Sequence, residues 1–165
     1  MLYSIFYLNL CDSTLVYQLI MQEEFTEIFV RGVLHSINGY AIFLGNDEKN
    51  FVIYVEPSVG KAISKTISEK KSERPMTHDL IQHIFLGIGI QLERVIIADV
   101  NKNTFFARII LKMENELGTK LVELDTRPSD AIVLALQEKQ QILVTRKVID
   151  SVEDMTEVLE QILKQ

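Results

Sequence analysis

From Glu27 onward the chain switches between two rhythms of apolar and polar residues. Ile28 to Ser36 is apolar and β-branched enough to predict a strand. Asn38-Gly39 is a turn signal leading into Tyr40-Ala41-Ile42-Phe43-Leu44. Gly45 to Asn50 reads as a polar turn and Phe51 to Val55 as a returning strand, so an antiparallel meander is expected. Pro57-Ser58 then opens a helix with Val59, Ala62, Ile63 and Ile67 on one face, and Lys61 and Lys65 on the other, followed by Lys70-Lys71. Leu80, Ile81, Ile84, Phe85 and Ile88 predict a second amphipathic helix, ended by Gly87 and Gly89.

Val95 to Val100 and Thr104 to Met113 flank Asn101-Lys102-Asn103 and predict a hairpin. Leu121 to Asp125 is a further strand feeding a helix from Ser129 to about Glu138, and Ile142-Leu143-Val144 is a short buried strand. Ser151 with Asp154 resembles a capping box for a last helix carrying Val152, Met155, Val158, Leu159, Ile162 and Leu163 on one side. Strands mixed with helices, without strict alternation, predict a single α+β domain, its antiparallel or mixed sheet covered by amphipathic helices. The expected organisation is an apolar extension over residues 1–26, the domain over 27–150 and a C-terminal helix over 151–165.

Composition narrows the function classes. With 165 residues, 47% of them hydrophobic, the chain can bury one good core. A net charge of -6 gives no global attraction to nucleic acid, so a polyanion would have to meet a local basic patch. The best such patch is Lys61 to Arg74, with Lys61, Lys65, Lys70, Lys71 and Arg74 against Glu69 and Glu73. Cys11 is the only cysteine, which excludes an intrachain disulfide and a cysteine-built metal site. Met1 to Met21 is apolar, yet no lysine or arginine precedes Arg31, and Asn9, Asp12, Ser13 and Gln18 interrupt it. That pattern predicts neither a signal peptide nor a spanning helix, and leads to the expectation of a cytoplasmic protein with no membrane partner.

Candidate chemistry sits at two similar corners, Arg74-Pro75-Met76-Thr77-His78-Asp79 and Arg127-Pro128-Ser129-Asp130, which hold two of the three prolines. Proline keeps its predecessor extended and cannot donate to a following helix, so each corner predicts a helix start, with Thr77 or Ser129 as the cap. Arginine and a helix N-terminus suit phosphate, while a nearby carboxylate suits a divalent cation or an attacking water. Arg74, Arg127, Lys61 and Lys65 are therefore candidate phosphate ligands. Asp79 and Asp130 are candidates to position Mg²⁺ or water, and His78 to assist proton transfer. The opposing reading makes the arginine–aspartate pairs structural locks. Spatial closeness of the two corners separates the readings. Walker, dinucleotide, nucleophile-elbow and His-Glu-x-x-His motifs are all absent. His78 and His83, five positions apart, point to different faces of a helix.

These corners, with Asn103-Thr104-Phe105-Phe106-Ala107 and Ile142-Leu143-Val144, resemble the bifunctional nuclease domain family over roughly Glu27 to Asp150. The resemblance implies a compact α+β domain, a homo-oligomer, and a nuclease acting on DNA and RNA. Its alternative is a non-catalytic regulatory or interaction module of the same fold. Many members carry an acid where this chain has Val59 in the helix after the Phe51 to Val55 strand.

Overall fold

In the computed structural model, residues 24–70, 73–116 and 118–164 are described. The expectations for Met1 to Met21, Cys11 and Lys71 fall outside them. Alternation of side chains builds the first meander: β1 (Phe25–Ser36), β2 (Gly39–Gly45) and β3 (Asn50–Val55) pair antiparallel in sequence order. The second runs β4 (Ile90–Asn101), β5 (Thr104–Asn115) and β6 (Gly118–Thr126), also antiparallel. Lys102 and Asn103, at φ 47° and 63°, form the two-residue turn between β4 and β5. Left-handed residues of this kind match the twist of the paired strands.

The chain then crosses over through a helix to β7 (Ile142–Thr145), which enters between the two meanders. The sheet order is β3-β2-β1-β7-β4-β5-β6, and only β7 against β4 is parallel. All four β7 residues are buried, which accounts for the unbroken apolar run Ile142-Leu143-Val144 in place of an alternating one. The sheet is mixed and the class is α+β, as the sequence predicts.

Five helices accompany the sheet: α1 (Pro57–Ile67), α2 (Thr77–Gly87), α3 (Pro128–Glu138), α4 (Arg146–Ser151) and α5 (Thr156–Leu163). Among the described residues, none of the helices is long and apolar enough to cross a membrane. The main core joins Ile42, Leu44, Phe51 and Ile53 of one sheet face to Val59, Ala62 and Ile63 of α1 and to the buried stretch Ala131 to Ala135 of α3. Ala41 and Phe43 alternate to the opposite face, where Leu159 of α5 covers them. Val59, at the position where family members are expected to carry an acid, is part of the main core.

Two sequence expectations change. The apolar stripe of α2 is only partly used: Ile81 and Phe85 pack on the core, whereas Leu80, Ile84 and Ile88 are 55%, 49% and 57% exposed. α2 meets the body along one narrow edge, against β4 and α3, and the side chain it buries is His78. The residues around Ser151 form the separate helix α4, whose start is capped by the Thr145 hydroxyl accepting from the Val148 N–H. Ser151 closes that helix by donating to the Lys147 carbonyl, and Asp154 instead accepts from the backbone N–H and hydroxyl of Thr156 at the start of α5.

Gly60 lets α1 lie directly on β2, because a Cβ there would overlap the Tyr40 side chain at its Cδ2, Cγ and Cβ. Alanine normally stabilises a helix over glycine by about 1 kcal/mol. Here the overlap is expected to win, so that Gly60→Ala destabilises by about 1–3 kcal/mol. Urea unfolding that shows equal or greater stability would mean that α1 can lift off Tyr40 without cost.

Candidate functional site

The two corners are the same device at the level of helix positions. In α3 the N-cap is Arg127, held extended at φ -71°, ψ 140° because Pro128 follows it, and Pro128 is the first helical residue. In α2 the proline falls earlier: Met76 is the N-cap, at φ -87°, ψ 175°, and Thr77 begins the helix. Counting from these caps places Asp79 and Asp130 at the same third helical position, and His78 and Ser129 at the second. Neither Thr77 nor Ser129 caps its helix, and neither start has a side-chain cap hydrogen bond from the cap residue. That expectation fails because the extended cap residues are Met76, which follows Pro75, and Arg127, which precedes Pro128, so Thr77 and Ser129 fall at the first and second helical positions.

The two carboxylates are used in different ways. Asp79 Oδ2 accepts from the Met76 backbone N–H at 2.7 Å, closing the first turn of α2. Its Oδ1 accepts from Gln137 Nε2 at 2.7 Å, tying α2 to α3. Asp130 turns instead to side chains: Oδ2 accepts from Arg127 Nε at 2.7 Å, and Oδ1 from Arg127 Nη2 at 3.3 Å. The same Oδ1 lies 3.0 Å from His78 Nε2, so a chain Arg127–Asp130–His78 joins the two corners. Asp79→Ala is therefore expected to lose about 0.5–2 kcal/mol of stability, the usual cost of losing a cap. Thr77→Ala and Ser129→Ala should stay within about 0.5 kcal/mol of the parent. Thermal unfolding of the three variants checks the order, and a larger loss for either hydroxyl would overturn it.

Electrostatics fixes the protonation of this chain. Burial raises the Asp130 carboxyl, but hydrogen bonds from Arg127 and His78, together with their charges, outweigh it and hold the group below its ordinary 3.8. The Asp130 hydrogen bond pushes the Arg127 guanidinium above its ordinary range, and Glu56 adds to it. An ionised carboxylate only accepts, so His78 Nε2 carries a proton and donates it. In neutral imidazole the lone pair then sits on Nδ1. The His78 side chain is 10% exposed, and its Nδ1 is not among the buried polar atoms that lack a partner. His78 lines a cleft.

That cleft, of 510 Å³, lies between α1, α2 and α3 and is lined by His78, Asp79, Lys65, Lys70, Lys139, Gln82 and His83, among others. A second cleft, of 650 Å³, lies on the Arg127 side of the ion pair, with Glu56, Asn103, Thr104, Ser129 and the rings of Phe51, Tyr54 and Phe105. The corners therefore meet through one ion pair, with a cleft on either side.

Of the residues singled out in the sequence, His78, Asp130 and Arg127 form one bonded chain, and Asp79 and Lys65 line the cleft on the histidine side. Lys61 and Arg74 are exposed and line neither cleft. Arg74 does not pair with Asp79. His78 and His83 share one cleft, because α2 lies along its rim. Gln137, Glu56 and Lys139 belong to the site and were not singled out. Gln137 had a signal, since it follows Asp130 by seven positions and so returns to the same helix face. Glu56 and Lys139 had none, because their places depend on how α1 and α3 pack.

A divalent cation would need oxygens free to coordinate it. All four carboxylate oxygens of Asp79 and Asp130 face N–H donors, and Arg127 already neutralises one of the two groups. Among the described residues, no three His, Cys, Asp or Glu side chains gather as a metal set. Three of the four oxygens accept one donor each and keep a second lone pair, while Asp130 Oδ1 faces two donors.

A family profile described as "Bifunctional nuclease domain" matches residues 42–157, which include both corners and all of the bonded chain. Curated relatives from two strains of Mycobacterium tuberculosis, each described as an uncharacterized protein, are 29% identical over 104 residues. The aligned segment covers 63% of this chain and 59% of each relative, so the chain spans under two thirds of their length.

Proposed function

The chain belongs to the bifunctional nuclease domain family, and from that premise we propose that it hydrolyses or otherwise cleaves phosphodiester bonds of nucleic acid in the cleft between α1, α2 and α3. The observation that carries this reading is the 3.0 Å contact between His78 Nε2 and Asp130, on a histidine that lines one cleft with three lysines. Asp130 fixes the tautomer and orientation of the imidazole, and Arg127 fixes Asp130. An imidazole held in this way can act as a general base. Lys65, Lys70 and Lys139 supply positive charge for the phosphate, and Asp79 is a positioning residue that ties α2 to Gln137. Nucleic acid is accordingly the proposed partner. The local lysines would hold it despite the net charge of -6.

Purified protein incubated with single- and double-stranded DNA and RNA, in parallel with Mg²⁺, with Mn²⁺ and with a chelator, tests the activity. Cleavage of neither polymer under any of these conditions would remove the enzyme reading.

One observation favours an interaction module alongside the enzyme. Leu80, Ile84 and Ile88 form an exposed apolar stripe on the outer side of α2, recurring at every fourth position. The homo-oligomer that the resemblance implies would be served by this stripe. Ile84→Glu is expected to shift the protein to monomer, and sedimentation velocity at a series of concentrations reads this. A monomeric parent protein at all concentrations would exclude self-association.

A further inference from the structure

The two edges of the sheet are built differently. β6 carries Lys120, Glu123 and Asp125, charges of the kind that keep an edge strand from pairing with another chain. β3, at the other edge, runs Asn-Phe-Val-Ile-Tyr-Val, with no charge, no proline and no bulge in its register against β2. An edge of this kind is a template for one more strand.

The backbone of β3 is paired along one side only. In an antiparallel pair, alternate residues turn both N–H and C=O toward the neighbouring strand, and the residues between turn both away. Asn50 turns away from β2: its N–H donates to the Thr156 hydroxyl, and its carbonyl accepts from the Met155 N–H. Val52 and Tyr54 are in step with Asn50 along an unbroken register, so their N–H and C=O groups also point outward. Among the described residues, no backbone group bonds to them there. The segment before α5 thus pairs the first outward position of β3 and leaves the next two open.

Those two residues line the 650 Å³ cleft, together with Val152 and Glu153 and with Asn103 to Phe105 at the β4–β5 turn. The sheet curls far enough to bring the Phe51 ring to 5.8 Å from that of Phe105, so the open edge borders a groove. Tyr54 is 72% exposed along it. Charge says what the groove fits. Arg127 is its one lining cation, and Asp130 takes up that charge through Nε and Nη2. Glu56 and Glu153 leave the groove net negative, the opposite of the cleft that Lys65, Lys70 and Lys139 line.

We propose that the open edge of β3 docks an extended, basic peptide segment of a partner protein, which adds as a further strand. Backbone bonds to Val52 and Tyr54 supply the affinity, and lysine or arginine side chains opposite Glu56 and Glu153 supply the selectivity. Peptide docking here goes beyond the nuclease reading and does not depend on it.

The test uses the full chain and two labelled hexapeptides, one alternating lysine with valine and one alternating glutamate with valine. Fluorescence anisotropy reads binding, and amide hydrogen exchange by NMR reads its place. The basic peptide is expected to bind about tenfold or more tightly than the acidic one. It should slow exchange at Val52 and Tyr54, while Phe51 and Ile53, already bonded to β2, change little. Tyr54→Pro removes an outward donor without breaking a bond to β2, and should weaken binding by about tenfold or more. Glu56→Gln with Glu153→Gln leaves the backbone of β3 intact and should bring the basic peptide to the level of the acidic one. No binding of the basic peptide at about 1 mM, equal binding of the two peptides, or binding that leaves Val52 and Tyr54 unprotected would overturn the proposal. Protection of both amides in the free protein that grows with its concentration would also overturn it, because a second copy would then hold the edge.

Discussion

Substituting His78 by glutamine is expected to lower the rate of phosphodiester cleavage by about 10²–10⁴-fold, the usual range for removing a general base. Glutamine keeps a polar group that can donate to Asp130 Oδ1, so α2 and α3 stay joined where His78 Nε2 now reaches across at 3.0 Å. What disappears is the ring nitrogen that is not bonded to Asp130. The loss should fall on the maximal rate, with little change in the substrate concentration needed for half of it, because Lys65, Lys70 and Lys139 still hold the phosphates. Steady-state cleavage of a labelled oligonucleotide, with a circular dichroism check on the fold, separates these effects. An intact variant with unchanged rate would leave His78 as a structural link between the corners.

Asp130→Asn is expected to produce a loss of similar order in activity, and a change in stability that depends on pH. If the amide oxygen faces Arg127, the NH₂ faces His78 Nε2, which must then accept; the proton moves to Nδ1 and the base is lost. If the amide is reversed, its NH₂ confronts the guanidinium. Near neutral pH the variant should be less stable by about 1.5–3 kcal/mol, since hydrogen bonds between charged groups are lost around a side chain that is 24% exposed.

The sign with pH follows from the lowered carboxyl. A group more acidic in the folded than in the unfolded state stabilises fully above its ordinary 3.8, and the contribution fades as pH falls through the lower folded value. The variant should therefore lose less of its stability on acidification than the parent. Urea midpoints of both proteins, measured from neutral pH to below 3.8, read this directly. Parallel curves for the two proteins would mean that the Arg127–Asp130–His78 chain adds nothing to folding.

The sequence by itself determined most of the framework, through signals that act over short distances. Period-two alternation in Tyr40 to Leu44 assigns Ile42 and Leu44 to one core and Ala41 and Phe43 to the other. The Asn101-Lys102-Asn103 turn sets the β4–β5 register, and the unbroken run Ile142 to Val144 marks a strand buried on both faces. The prolines at 75 and 128 mark both helix starts, and the motifs around them point to the family later matched over residues 42–157.

Tertiary packing decided what those motifs do. Asp79 and Asp130 hold equal helix positions, yet one bonds to a backbone N–H and Gln137, the other to Arg127 and His78. The difference lies in which helix stands alongside, a contact spanning 52 residues between His78 and Asp130 that local rules do not reach. The stripe on α2 shows the same limit: Leu80 and Ile84 have the period of a buried face, but amphipathic spacing specifies a face without naming what covers it. Which charges meet is set by where the helices settle on the sheet. In this chain that placement joins His78 to Asp130 and leaves Lys61 and Arg74, equally promising in the sequence, outside both clefts.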